Sequence, residues 1–214
     1  MAGMASSLAS KIEVVVFDVG GVLVEMKGVP TMLGWLGNRV NADEMWKLWL
    51  SSPVVREFER GRATPEEFAE QIIQELSLPV GKEEFLAAFK SWLTGLYPGA
   101  LEVVRSVPAR FTRATLCNTS VLHWPRLMEE FELGPAFQHH FASHLTGRIK
   151  PDAAAFQLVL DTLHCKPSTV FFLDDNTINV DSARQMGMHA QRVNGPVEAR
   201  HALIEAGILS TERA

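Results

Sequence analysis

The sequence predicts an α/β fold: a doubly wound, mostly parallel sheet interrupted by an inserted block of helices. Three observations predict it. Short apolar runs rich in β-branched residues alternate with stretches of helical period. The first of these runs stops abruptly at a carboxylate and a glycine turn. Strand signals then vanish from about residue 30 to residue 96, a span too long for a simple crossover.

The elements follow in chain order. Ile12 to Leu23, IEVVVFDVGGVL, reads as a buried strand that delivers Asp18 to a loop turned by Gly20 and Gly21. Asn41 and Glu44 have the spacing of a capping box, with Trp46, Trp49 and Leu50 at helical intervals behind it. Thr64-Pro65-Glu66-Glu67 repeats the device with proline at the first helical position, and Phe68, Ile72 and Leu76 follow on one stripe. Glu83 to Leu93 is expected as a further helix with Phe85, Phe89 and Trp92 on its apolar face. After Tyr97-Pro98-Gly99 the alternation resumes. A helix through Leu101 and Val104 leads to a strand over Arg113 to Leu116, a helix near Trp124 to Phe131, and a short apolar piece at His140 to Ala142. Pro151 is expected to open a helix striped by Phe156, Val159, Leu160 and Leu163. Thr169 to Leu173 is a second buried strand ending in acid, at Asp174-Asp175. A helix over Ile178 to Met186 stops at Gly187, and a strand near His189 to Val193 and a helix from Val197 to Ala206 complete the pattern. The expected division is a core of residues 11–26 and 97–214 and a helical cap of residues 27–96.

Composition narrows the function. With 214 residues, 47% hydrophobic and 21% charged, the chain can bury a sizeable core, and a net charge of −5 offers no footprint for nucleic acid or an anionic membrane. Cys117 and Cys165 are the only cysteines and lie in no metal-spaced cluster, which fits a reducing cytosol. No apolar run approaches the length of a bilayer span, and the first ten residues lack the pattern of a signal segment. The expectation is a cytoplasmic protein with a frayed start, monomer or homodimer, acting on a small molecule.

In an open parallel sheet the loops at the carboxyl ends of the strands share one edge. That edge would gather Asp18, then Cys117-Asn118-Thr119, then Asp174 and Asp175, with Lys150 in a fourth loop. Three carboxylates together repel one another unless a cation enters, and Mg²⁺ suits them because it takes one or two carboxylates, several waters and a substrate phosphate. A carboxylate beside Mg²⁺ and Lys150 can attack phosphorus, forming an aspartyl phosphate that water then hydrolyses. Asn118 and the amides of the glycine loop would serve as neutral donors to the phosphoryl oxygens.

The ordered set FDVGGVL, LCNTS, RIKPD and FFLDDNTINVDSARQMGMHA resembles the four-motif signature of the haloacid-dehalogenase-like (HAD) hydrolase superfamily, whose core is Rossmann-like. A cap between the first two motifs resembles the C1 arrangement. DVGGVL, NTSxxHW from Asn118 to Trp124 and DDNxxN from Asp174 to Asn179 look most like the branch containing bacterial α-glucose-1-phosphate phosphatases. The resemblance implies that Asp18 is the nucleophile, that the Gly20 carbonyl and Asp175 hold Mg²⁺ with Asp18, that Asp174 supports the metal, and that Lys150 orients phosphate and nucleophile. Cys117, Asn118, Thr119, Gly20 and Gly21 would line the phosphate. Two positions depart from the commonest pattern. Gly20 stands where many family phosphatases carry the acid that protonates the leaving oxygen. Cys117 replaces a hydroxyl with a weak thiol donor, and as a site thiol it is a candidate for oxidation.

Each of these residues also has a plainer reading. Asp18 alone could cap a turn, Asp174-Asp175 could cap a helix, and Cys117 could be a small buried hydrophobe. His139, His140 and His144 lack a metal-ligand spacing, and His123 and Trp124 fit either a substrate entrance or packing. Trp35, Trp46, Trp49 and Trp92 read as cap core; Arg56 and Arg60 read as a solvated helical face that could reach a phosphate. The function expected is a Mg²⁺-dependent phosphatase of a small phosphorylated metabolite, with a sugar phosphate the first choice. Hydrolytic dehalogenation and a low-activity regulatory role are the alternatives.

Overall fold

The computed structural model describes residues 8–210. The frayed start expected for residues 1–10 lies mostly outside that range, and Leu8, inside it, packs on the core. Five parallel strands form one sheet in the order β5-β4-β1-β6-β7. They are β1 (Val14–Phe17), β4 (Thr112–Cys117), β5 (His139–Ala142), β6 (Val170–Asp174) and β7 (His189–Arg192). β1 is central and buried along its whole length. Its side chains alternate between two cores, Val15 and Phe17 on one face and Val14 and Val16 on the other. Burial of each such side chain contributes roughly 1.5–3 kcal/mol, which is why this apolar run forms the middle of the sheet. On the Phe17 face lie α6 (Ala100–Ser106) and α10 (Gly195–Glu205), with Val103, Val104, Ala199 and Leu203 inward. On the Val16 face lie α8 (Ala153–Leu163) and α9 (Thr177–Gln185), through Phe156, Val159 and Ala183.

Between β1 and α6 the chain leaves the sheet. β2 (Val24–Met26) pairs antiparallel with β3 (Leu93–Leu96), and this ribbon brackets α1 (Gly28–Trp35), α2 (Ala42–Ser51), α3 (Pro53–Glu59), α4 (Pro65–Leu76) and α5 (Lys82–Lys90). These helices have a separate core built on Trp49, Phe58, Phe68, Phe85, Phe89 and Trp92, with Phe58 stacked on Phe68 at 4.1 Å. Both capping boxes form: Asn41 and Glu44 exchange bonds of 3.0 and 2.9 Å, and Thr64 and Glu67 do the same at 3.2 and 2.8 Å. Among the described residues no helix is long and apolar enough to cross a membrane.

The elements differ from the sequence reading in three places. The helix expected through Leu93 ends at Lys90, because Leu93 is drawn into the ribbon opposite Met26. Pro151 does not open a helix: its peptide bond with Lys150 is cis, and α8 starts at Ala153. The expected helix near Trp124 to Phe131 is present over residues 124–130, but from Arg126 to Glu130 it is π-type rather than α.

Candidate active site

The sheet order puts β4 on one side of β1 and β6 on the other, so the winding reverses at β1. Crevices form at such reversals, beyond the carboxyl ends of the strands. Phe17 is in register with Leu173, and the Asp18 amide donates to the Leu173 carbonyl at 2.8 Å. Asp18 and Asp174 therefore leave adjacent strands side by side. Lys150 reaches in from the loop between the short helix α7 (Ser143–Thr146) and α8. Its Nζ lies 2.7 Å from Asp18 Oδ1 and 2.6 Å from Asp174 Oδ2, and the side chain is 1% exposed. Burial by itself lowers the lysine, but the Asp174 and Asp18 carboxylates outweigh it and push the ammonium up, so Lys150 stays charged.

Asp174 is saturated by protein donors. Oδ1 accepts from the Asn176 amide at 2.8 Å and from Asn179 Nδ2 at 3.0 Å, while Oδ2 accepts from Lys150 and, at 3.1 Å, from Asn179. In this structure its carboxylate holds Lys150 and the start of α9. Asp175 is different, since its side chain faces the cavity while its backbone carbonyl accepts from Arg192. Oxygens of Asp18, Asp174 and Asp175 lie within 4.8 Å of one another. Burial, then the Asp174 charge, pushes Asp175 up to about 6; burial likewise pushes Asp18 up, against the pull of Lys150. Three carboxylates against one ammonium leave a buried excess of negative charge, which a hard divalent cation relieves. Gly21 permits the close approach. Its φ is +72°, and a Cβ there would overlap the Asp175 carboxylate.

The phosphate-side residues are placed less uniformly. Asn118 Nδ2 donates to the Lys150 carbonyl at 2.9 Å and its Oδ1 accepts from the Lys150 amide at 2.9 Å, so this side chain braces the lysine loop rather than pointing a free amide at substrate. The Gly21 amide is engaged with the Val24 carbonyl. Thr119 is pinned through its backbone to Ser143 Oγ and lines only a side cleft. Cys117 is buried in the core beneath the site, its thiol directed at the Asn118 carbonyl at 3.5 Å. Burial and the Asp18 charge push that thiol far up, so it is held neutral and the expected susceptibility to oxidation loses its chemical basis.

The cavity above these groups has a volume of about 570 Å³. Its floor is Asp18, Lys150, Asp175, Asn176 and Arg192. Its roof comes from the inserted helices: Val29, Asp43, Trp46, Trp49, Leu50 and Glu59. Trp46 and Trp49 therefore serve the cavity as well as the helical core. Glu59, which the sequence reading passed over, lines this cavity and two adjoining clefts. Arg56 and Arg60 are neither a solvated face nor phosphate ligands. They converge on Asp152, at 2.9 and 2.7 Å, and tie α3 to the lysine loop. His123 is a packing residue at the same junction: its ring lies 4.4 Å from that of Phe89, and Nε2 donates to the Phe89 carbonyl at 2.8 Å. His140 bonds Thr115 and Gly134, and His144 packs on Trp124; among the described residues neither belongs to a metal-binding group.

A family model for haloacid dehalogenase-like hydrolases matches residues 12–187. Acyl-CoA dehydrogenase family member 10 of Mus musculus is 30% identical over 197 residues, a match covering 86% of this chain but 18% of that protein. The sesquiterpene phosphatase astK of Aspergillus oryzae is 27% identical over 179 residues, covering 81% of this chain and 85% of its own. Among solved structures, a HAD family enzyme of Bacteroides thetaiotaomicron, in complex with magnesium and inorganic phosphate, superposes with a TM-score of 0.67 at 22% identity, covering 85% of this chain and 93% of that one. At that identity the superposition speaks to the fold. The family match goes further, because its span takes in each of the four loops that meet at Asp18, and the chain belongs to the haloacid dehalogenase-like hydrolases.

Proposed function

We propose that this chain is a Mg²⁺-dependent phosphatase that hydrolyses a small phosphate monoester through an aspartyl phosphate on Asp18. The observation that carries the reading is the Lys150 ammonium bridging Asp18 and Asp174 at 2.7 and 2.6 Å at the floor of a cavity roofed by the inserted helices, with Asp175 left available to a cation. Asp18, Asp175 and the Gly20 carbonyl would hold Mg²⁺, which supplies charge to the phosphoryl oxygens. Lys150 pulls Asp18 toward its ionised form against the effect of burial and holds its carboxylate at the cavity floor, and the cation would complete that ionisation. Asp174, fixed by Asn179 and the Asn176 amide, keeps Lys150 in place. Asn118 holds the lysine loop from its backbone side. The bound inorganic phosphate and magnesium of the Bacteroides enzyme, and the activity named for the Aspergillus relative, support the same chemistry here.

The organic part of the substrate rests on the roof. Trp46, Trp49, Val29 and Leu50 form an apolar wall, with the Asp43 and Glu59 carboxylates beside it. That wall suits a body with a flat apolar face, whether the CH face of a sugar ring or an isoprenoid chain. The test is phosphate release from a panel holding sugar, polyol, alkyl and isoprenoid monophosphates, with Mg²⁺ and with EDTA, in the native chain and in Asp18→Asn. Turnover is expected only with Mg²⁺, and Asp18→Asn should lose at least ~10³-fold, as expected when a nucleophile is removed. Release that persists in EDTA or in the variant overturns the reading.

A further inference from the structure

The core of this site offers no acid to a departing alcohol. Position 20 is glycine, and the place its side chain would take is filled by Met26, whose Sδ lies 2.7 Å from an ideal Cβ there. A carboxyl group does reach the cavity from above. Glu59 is the last residue of α3 and shares the cavity wall with Asp18, Lys150 and Asn118. It also lines the cleft between Leu50 and Ile178 and the one leading to His123.

The charges around Glu59 are arranged to leave it unpaired. Arg56 and Arg60 flank it on the same helix, but both guanidinium groups are turned to Asp152. Lys150 is taken by Asp18 and Asp174. Among the described residues Glu59 has no hydrogen-bond or ion-pair partner, although its charged neighbours Arg56 and Glu57 on α3 and Arg60 at the helix C-cap all have one. A half-buried carboxyl group that lines the same cavity as Asp18 and is left without such a partner has no structural role to explain it. Burial pushes it up to about 7 against the pull of Lys150 and Arg56, the range in which one group can both give and take a proton at neutral pH.

We propose that Glu59, supplied by the inserted helix α3, is the general acid that protonates the leaving oxygen and the general base that then activates water. The proposal rests on the phosphatase reading above. In the first step Asp18 Oδ forms a bond to phosphorus, the bond from phosphorus to the ester oxygen breaks, and the Glu59 proton passes to that oxygen, releasing the alcohol. In the second step the Glu59 carboxylate takes a proton from water as the water oxygen bonds to phosphorus. The Asp18–phosphorus bond breaks, which returns Asp18 as carboxylate, Glu59 as acid and inorganic phosphate as product. The position on α3 also explains the ion pairs with Asp152: they fix the helix end that carries Glu59 against the loop that carries Lys150.

The experiment compares the native chain, Glu59→Gln and Glu59→Asp on aryl phosphates of graded leaving ability, from phenyl phosphate to 2,4-dinitrophenyl phosphate, with Mg²⁺ present. A phenolate that leaves well needs no proton. Glu59→Gln should therefore lose roughly 10²–10⁴-fold in kcat/KM on phenyl phosphate. On 2,4-dinitrophenyl phosphate kcat/KM should change only a few-fold, and a stoichiometric burst of dinitrophenolate should appear because the second step is slowed. Glu59→Asp should restore part of the lost activity on phenyl phosphate. The burst itself reports a folded site competent in the first step. An equal loss across the series overturns the proposal in favour of a binding role, and an unchanged series overturns it outright. A native chain that turns over none of the series, or does so in EDTA, brings down the phosphatase reading and this proposal with it.

Discussion

At the scale of single residues, the site is decided by which polar groups are already satisfied. Asp174 is wholly buried and has donors on both oxygens, so its charge is committed to structure, whereas Asp175, one residue on, faces the cavity. Removing a member of a buried charge network leaves the others without compensation, typically at a cost of about 3–5 kcal/mol. Asp174→Ala takes one of its two carboxylate partners from Lys150, leaving it Asp18, and strands the Asn179 amide and the Asn176 N–H. It is expected to lower unfolding stability by about that amount in urea titrations, and a loss below about 1 kcal/mol would show that the network is dispensable. Gly21 matters for the opposite reason, since an atom added there meets the Asp175 carboxylate.

At the scale of elements, the junction between the inserted helices and the sheet rests on a few polar contacts. One is the pair of arginines on α3 closing on Asp152; another is His123, just after β4, donating to the carbonyl of Phe89 on α5. Burial brings His123 down from 6.5 to about 4, despite the bond to Phe89. In the unfolded chain the ring titrates near its ordinary value, so between these limits the unfolded state binds more protons. The stabilisation is therefore complete above about pH 6.5 and is lost as the pH falls toward 4, by roughly 3 kcal/mol in all. His123→Phe should flatten this part of the curve of unfolding free energy against pH. Parallel curves for the native chain and the variant over that window would overturn the assignment.

At the scale of the whole molecule, two units with separate cores enclose one negatively charged cavity. A cation bound there is linked to the stability of the entire fold. At a concentration one hundred times its Kd, Mg²⁺ should add about 2.7 kcal/mol to the unfolding free energy, which for a chain of this size moves Tm up by several degrees. The shift should vanish in Asp175→Asn, whose charge is removed without change of shape. A thermal shift equal in the native chain and this variant would place the cation elsewhere.

Much of this was legible from the chain alone, because it depends on local patterns. Strand and helix periods identified β1, β4, β6 and the helices between them, and the capping residues marked where α2 and α4 begin. Since parallel strands deliver their ends to one edge, the sequence alone gathers Asp18, Asn118, Lys150, Asp174 and Asp175. What the chain could not disclose was the pairing of side chains across elements. Arg56 and Arg60 read as a solvated helix face and Glu59 carries no signal of its own, since charge at helical spacing says nothing of what lies opposite. Only the packing of α3 against the lysine loop turns both arginines to Asp152 and leaves Glu59 lining the cavity that holds Asp18. In the same way Asn118 was recognisable as a site residue, but its bonds to the Lys150 backbone, which make it a brace, span 32 residues of sequence and exist only in the folded chain.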